Sequence, residues 1–277
     1  MDYKRILTIQ DISCFGQCSL TVALPILSAC GVETVIIPSA VLSTHTGGFT
    51  GFTFRDLSDD IPAIAAHWKK EGIDFDGIYT GYLGSIKQID MVKDIFNNLS
   101  REGALKIVDP AMADNGKLYY GFDDAYAAAM TELCSVADIV IPNITEACFM
   151  TGHTYQESYN EEYVLSILKA LEDKGMPNVV LTGVSYNNET TGVIVKTKDK
   201  VEYYQHRKLP VGSHGTGDVF ASAFSGALLR GKSQYEAARA AANYTLRCIE
   251  NTVGDDSHKY GVKFETAIPY LLEELDR

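Results

Sequence analysis

Tryptophan is nearly absent, with one in 277 residues, and cations are scarce: 24 Lys and Arg face 36 Asp and Glu, a formal net charge of −12. That deficit excludes the basic patch by which nucleic-acid and anionic-membrane binders hold their partners. Long hydrophobic runs are missing as well, and none approaches the ~20 apolar residues needed to span a bilayer. Met1-Asp2-Tyr3-Lys4-Arg5 runs straight into an apolar strand pattern, with no hydrophobic leader or cleavage site. The expectation is a cytoplasmic protein with neither nucleic acid nor membrane among its partners. The six cysteines form no C-x-x-C pair, and no His or Cys cluster near Cys14 and Cys18 completes a zinc set. They are expected to be buried, reduced thiols. No linker, repeat or low-complexity tract interrupts the chain, so residues 1–277 are read as one domain.

Short apolar runs at 5–9, 34–38, 77–80, 105–108, 139–141 and 179–181 alternate with segments of helical period at 20–30, 61–71, 86–100, 126–134 and 161–174. Near-continuous apolar strands with crossover helices predict a mainly parallel sheet covered on both faces. After residue 181 the pattern changes to two strands, 192–196 and 201–206, around a Lys-Asp-Lys turn, then to helices at 219–230, 234–250 and 264–275. Ligands of open α/β sheets sit beyond the carboxyl ends of the strands. Polar and glycine-rich residues collect at those ends: Gln10-Asp11, Gly81-Tyr82-Leu83-Gly84-Ser85, Asp109-Pro110, Pro142-Asn143 and Thr182-Gly183.

One phosphate-loop pattern, Gly226-Ala-Leu-Leu-Arg-Gly231-Lys232-Ser233, falls in the wrong place. Gly226 lies inside an apolar helical stretch rather than between strand and helix, Gly231 reads as a helix stop, and Ser233 with Glu236 reads as a capping box. Gly215-Thr216-Gly217-Asp218 is more informative, because glycines directly ahead of a long helix let successive N–H groups converge on an anion. A carboxylate beside such a hole suits a base that takes the proton of an attacking hydroxyl. A plain N-capping aspartate is the other reading of this segment. Asn143 and Glu146, three apart after a strand, suit either a magnesium–phosphate site or a capping pair. Asp109 and Asp114 suit a cation near a triphosphate, or ordinary turns.

These segments, in this order, resemble the ribokinase-like superfamily of small-molecule kinases, and within it the pyridoxal kinases. The resemblance covers most of the chain, from Ile9-Gln10-Asp11 through Ser43-Thr44-His45-Thr46, Gly81-Tyr82-Leu83-Gly84-Ser85, Asp109-Pro110-Ala111-Met112 and Pro142-Asn143-Ile144-Thr145-Glu146 to Gly215-Thr216-Gly217-Asp218. It implies a three-layer α/β/α fold with a small β-flap, and ATP-dependent phosphorylation of the 5′-hydroxymethyl group of vitamin B6 compounds. Under it Asp218 is the catalytic base and Gly215, Thr216 and Gly217 form the anion hole. Asp11, Thr46 and Tyr82 contact the pyridine substrate. Asp114, Asn143, Glu146, Thr182 and Thr216 serve ATP, and Asp109 and Glu146 the metal. Mg2+, a monovalent cation such as K+, and a homodimer are further implications. A hydroxymethylpyrimidine kinase of thiamine synthesis, or a non-catalytic nucleotide or B6 sensor, would share much of this pattern. The chain departs from the pyridoxal kinases in three places. Asp11 stands where serine is common, Gly16-Gln17-Cys18-Ser19 lacks a Gly-Asn pair, and Val211-Gly212-Ser213-His214 is unusual. An acid at position 11 favours an amine or ring N–H over an aldehyde. His214 reads as a solvated loop residue.

Overall fold

A computed structural model describes residues 3–209 and 214–276. Its core is a nine-stranded sheet in the order β11-β10-β9-β8-β5-β4-β1-β2-β3. The central strands β1 (Arg5–Ser13), β2 (Glu33–Leu42), β4 (Phe75–Thr80), β5 (Ser100–Val108), β8 (Ile139–Val140) and β9 (Val179–Val184) pair in parallel. The hairpin of β10 (Thr190–Lys196) and β11 (Val201–Arg207) adds two antiparallel strands at one edge, and β3 (Phe54–Asp56) adds one at the other.

Neighbouring residues along the parallel strands serve opposite cores, as a period of two requires. Leu7, Ile78, Val108, Val140 and Val179 face one layer of side chains, while Ile6, Tyr79, Ile107, Ile139 and Val180 face the other. That double duty is why these strands read as unbroken apolar runs. The first core is covered by α2 (Ile61–Lys70), α3 (Ile86–Leu99), α4 (Asp124–Ser135), α5 (Ile144–Thr151) and α6 (Glu161–Asp173). The second lies under α1 (Leu20–Ala29), α7 (Thr216–Leu229), α8 (Gln234–Glu250) and α9 (Ile268–Asp276). The expected three-layer α/β/α architecture is therefore present. A separate two-stranded hairpin, β6 (Ala113–Asp114) with β7 (Lys117–Leu118), is the small flap. Among the described residues, no helix is long and apolar enough to cross a membrane.

Some boundaries differ from the sequence reading. The segment expected as one helix over 264–275 divides into a 3-10 turn, Phe264–Ala267, and α9, with Pro269 in the first α-helical turn. The phosphate-loop pattern starts inside a helix and ends in the turn after it, as expected. Gly226 is buried in α7, where an added Cβ would lie 2.6 Å from Sγ of Cys30, the C-cap of α1, so the glycine is there for close helix packing. Ser233 caps α8 in a capping box with Glu236. Of the cysteines, Cys30, Cys134, Cys148 and Cys248 are buried as expected, but Cys14 is exposed and Cys18 half-buried, because both sit in the loop after β1 rather than in a core.

Candidate active site

The chain order reverses between β1 and β4: β2 follows β1 on one side, and β4 pairs on the other. Such a switch point opens a crevice at the carboxyl ends of the two strands. Asp11 sits there, in a bulge where the β1–β2 register slips between Gln10 and Ile12. A bulge re-aims a side chain relative to its neighbours. The Asp11 carboxylate is buried and accepts the Ser13 hydroxyl at 2.8 Å. Burial pushes its pKa up, opposed mainly by hydrogen bonds from Ser19 and Ser13.

Tyr82 follows β4 and stacks on Phe122 with ring centroids 5.5 Å apart. Its hydroxyl is pushed up to about 12, first by burial and then by the charge of Asp11. Thr46 is exposed, next to a buried His45 whose Nε2 lies 2.9 Å from the Tyr260 carbonyl and whose Nδ1 accepts the Gly47 N–H. No contact among the described residues joins Thr46 to Asp11 or Tyr82. His214 is exposed, as expected, and its ring lies beside Gly47, 5.5 Å from the His45 ring. Val211, Gly212 and Ser213 lie outside the described residues.

The Gly215-Thr216-Gly217-Asp218 element forms the start of α7. Gly215 is its N-cap at φ 75, a left-handed conformation that glycine adopts without penalty. A Cβ there would also fall 1.8 Å from the Gln17 carbonyl oxygen. Gly217, by contrast, has open space where a Cβ would stand. The first-turn amides of α7 thus border an uncrowded position at the positive end of the helix. The Asp218 carboxyl is pushed up to about 7 by desolvation, with the Ser19 N–H pulling down and the charge of Asp11 pushing up.

Asn143 and Glu146 form a full capping box on α5. The Asn143 Oδ1 accepts the Glu146 N–H at 2.9 Å, and Glu146 Oε2 accepts the Asn143 N–H at 2.8 Å. The capping reading is therefore realised. Glu146 does more than cap, because its Oε1 accepts the Met112 N–H at 3.0 Å and so pins the segment after β5. Asp109 follows β5 directly, buried, with Oδ1 accepting the Ala111 N–H at 3.2 Å. Its pKa is raised by burial and by the charges of Glu146 and Asp218. Asp109 thus feels the charges of two other carboxylates at this end of the sheet.

Asp114, Asn143 and Thr182 line one cavity of about 290 Å3, which runs on to Tyr155, Tyr186 and Lys208. Thr182 is fixed there by its N–H, which donates to the Pro142 carbonyl at 2.9 Å. These last three lining residues escaped the sequence reading. Tyr155 and Tyr186 lie in irregular stretches and Lys208 just past an edge strand, where no spacing rule marks a site.

The model of the phosphomethylpyrimidine kinase family matches residues 23–263. Dictyostelium discoideum pyridoxal kinase is 26% identical over 243 residues, spanning 82% of this chain and 78% of its own. The crystal structure of Lactobacillus plantarum pyridoxal kinase superposes with a TM-score of 0.90 at 31% identity, covering 98% of this chain and 97% of that one. A Bacteroides thetaiotaomicron protein, provisionally named a phosphomethylpyrimidine kinase and crystallised with pyridoxal, gives 0.91 at 36% identity, covering 98% and 96%. With the glycine-capped helix, its flanking carboxylate and the switch-point crevice all in place, the chain belongs to the phosphomethylpyrimidine kinase family of the ribokinase-like superfamily, and it is a kinase of the alcohol-phosphorylating kind.

Proposed function

We propose that the protein transfers the γ-phosphoryl group of ATP to the 5′-hydroxymethyl group of vitamin B6 compounds. The observation that carries this reading is the Asp11–Tyr82–Asp218 group: an aromatic face, a buried carboxylate and a carboxyl tuned to about 7, gathered at one switch point. Tyr82 offers stacking area to a flat heteroaromatic ring. Asp11 accepts from a ring N–H or an amine. A base near neutrality is matched to removing a hydroxyl proton at physiological pH.

The roles of the chain's own groups follow from position. Asp218 takes the proton from the substrate oxygen as that oxygen attacks γ-phosphorus in line. The amides of Gly215, Thr216 and Gly217 receive the charge spread over the transferring group. Asp114, Asn143 and Thr182 orient the triphosphate in the polar cavity they line, where Lys208 brings a positive charge. The donor set fits magnesium: Asp109 and Glu146 are buried carboxylates that resist ionisation beside each other, and a divalent cation would relieve them. Asp109 and Glu146 would hold Mg2+ there, and the ion would supply neutralisation of charge on the phosphate oxygens. A monovalent cation near Asp109 and Thr182, a homodimer and a cytoplasmic location complete the proposal.

The hydroxymethylpyrimidine kinase reading keeps the same base and the same family description. ADP release from ATP and magnesium, measured with pyridoxal, pyridoxamine, pyridoxine and hydroxymethylpyrimidine, separates the two. We expect turnover of the B6 compounds, with pyridoxamine preferred over pyridoxal because of Asp11. Turnover of the pyrimidine alone would overturn the substrate and leave the chemistry intact.

A further inference from the structure

The loop that carries Tyr82 is pinned along its backbone. Gly81 N–H donates to the Ile9 carbonyl at 3.4 Å, the Leu83 carbonyl accepts the Tyr126 hydroxyl at 2.6 Å, and Gly84 N–H donates to Gln88 Oε1 at 2.7 Å. The Tyr82 side chain is held differently. Among the described residues its ring partner is Phe122, with planes 27° apart. Phe122 is in turn stacked on Tyr126, centroids 3.7 Å apart and planes 5° from parallel. Three rings therefore lie face to face from the core outwards, Tyr126 buried, Phe122 and Tyr82 half-buried. The base of this stack is firm. Asp123 caps α4 and its Oδ1 accepts the Tyr126 N–H at 2.9 Å, while the Tyr126 hydroxyl holds Leu83 beside Tyr82. Phe122 is fixed through its own N–H, which donates to the Tyr119 carbonyl at 3.1 Å. Tyr119 N–H donates to the Met112 carbonyl at 2.8 Å, at the foot of the flap. An apolar residue ahead of a helix cap often packs back on the first turns of that helix, which fixes the angle of entry. That role accounts for the face of Phe122 on Tyr126. It does not account for the other face, which covers a tyrosine from a different loop.

We propose that Phe122 is a positioning residue that sets the plane of Tyr82 for a flat ring substrate. The inference rests on the reading above, in which Tyr82 is the stacking surface for a B6 compound. The 5.5 Å between Tyr82 and Phe122 lies within the range of about 4.5–7 Å that aromatic pairs favour. An aromatic side chain in a loop can turn about its side-chain torsions. Holding it in one orientation before the substrate arrives removes an ordering cost from binding. Phe122 takes one face of Tyr82, so the substrate ring stacks on the other. That ring takes no part in phosphoryl transfer, and its stacking is the same in the bound state and the transition state. Loss of the support should therefore raise KM for the substrate and spare kcat.

The support acts through Tyr82, so it is testable by a double-mutant cycle of Phe122→Leu with Tyr82→Leu, read in steady-state kinetics and in thermal unfolding of the ligand-free protein. Phe122→Leu keeps apolar bulk and loses the ring. It is expected to raise KM for the preferred B6 compound by about three- to tenfold, with kcat and KM for ATP each within about twofold of wild type. Phe122→Tyr restores the stack and is expected to bring that KM back to within about twofold. In the Tyr82→Leu background Phe122→Leu is expected to change KM by less than about twofold, and the two melting-temperature shifts are expected not to add. A role in packing alone would lower the melting temperature without dividing KM from kcat. Wild-type KM in Phe122→Leu, equal factors in both backgrounds, or no rescue by Phe122→Tyr would each overturn the proposal. Should Phe122→Leu be unfolded at the assay temperature, Phe122→Met takes its place with the same expectations. If the wild-type protein phosphorylates none of the four compounds, the substrate reading fails on its own. The unfolding cycle then still decides whether the two rings are coupled, and additive shifts there overturn the positioning.

Discussion

Asp218 contributes opposite terms to activity and to stability. Its carboxyl, ordinarily at 3.8, is raised to about 7 by desolvation before any other cause. The folded protein therefore binds a proton there more tightly than the unfolded chain does. The stability this supplies is complete below pH 4 or so and is lost as pH rises towards 7. The proposed role as base needs the opposite, ionised form. For the wild-type enzyme kcat/KM should fall about tenfold per pH unit below about 7, because the free enzyme's base becomes protonated. Asp218→Asn is expected to lower kcat by about 10²–10⁴. The same substitution removes an ionised group held in a poorly solvated place, so at pH 8 it should melt about 2 °C or more above wild type. The difference should shrink as pH is lowered from 7 towards 5. Paired pH–rate and pH–melting curves check both halves. Unchanged phosphorylation in the variant would refute the base, and a melting gap that does not vary with pH would refute the raised carboxyl.

The start of α7 works as an element because its two glycines have different tasks. Gly215 carries a left-handed φ and has no room for a Cβ, whereas Gly217 lies within the helix and faces open space. Gly215→Ala should therefore destabilise the fold by about 1–3 kcal/mol, the cost of a strained backbone. Gly217→Ala should leave stability unchanged or raise it by up to about 1 kcal/mol, since alanine is the better helix former. Its methyl group nevertheless enters the space beside the amides, so it should lower kcat/KM. Urea unfolding and steady-state rates on the two variants separate structure from anion binding; a Gly217→Ala enzyme with wild-type kinetics would show that the space is not used. This division of labour was half legible in the sequence. Two glycines ahead of a long apolar helix marked a candidate anion site, but only coordinates show which glycine the backbone requires. The parallel strands were legible for a physical reason, since residues such as Ile78 and Tyr79 must both be apolar to serve two cores. The two- and three-residue strands β3, β6 and β7 were not, because such lengths carry no period. Asn143 and Glu146 were found by spacing. That same spacing is what a capping box needs, so sequence alone left the choice open.

At the scale of the whole molecule, a net charge of −12 surrounds a site that must receive a polyanion. On the proposed reading the answer is local, from the α7 amides and from Lys208 of the cavity, while the distributed acidic charge repels. Local groups within a few ångströms of the phosphates are screened little by salt. The distributed acidic field acts over a Debye length, which shrinks from about 30 Å at 0.01 M to about 8 Å at 0.15 M. Raising ionic strength over that range should therefore strip away repulsion faster than attraction, and KM for ATP should fall by about twofold or more. The measurement is made with tetramethylammonium chloride at fixed free Mg2+, so that no small monovalent cation occupies a site of its own. A binder that drew nucleotide in by a basic surface would show the reverse, a KM that climbs with salt. That outcome here would mean that Lys208 and its neighbours dominate the approach of ATP, and that the acidic bulk of the molecule is electrostatically remote from its own site.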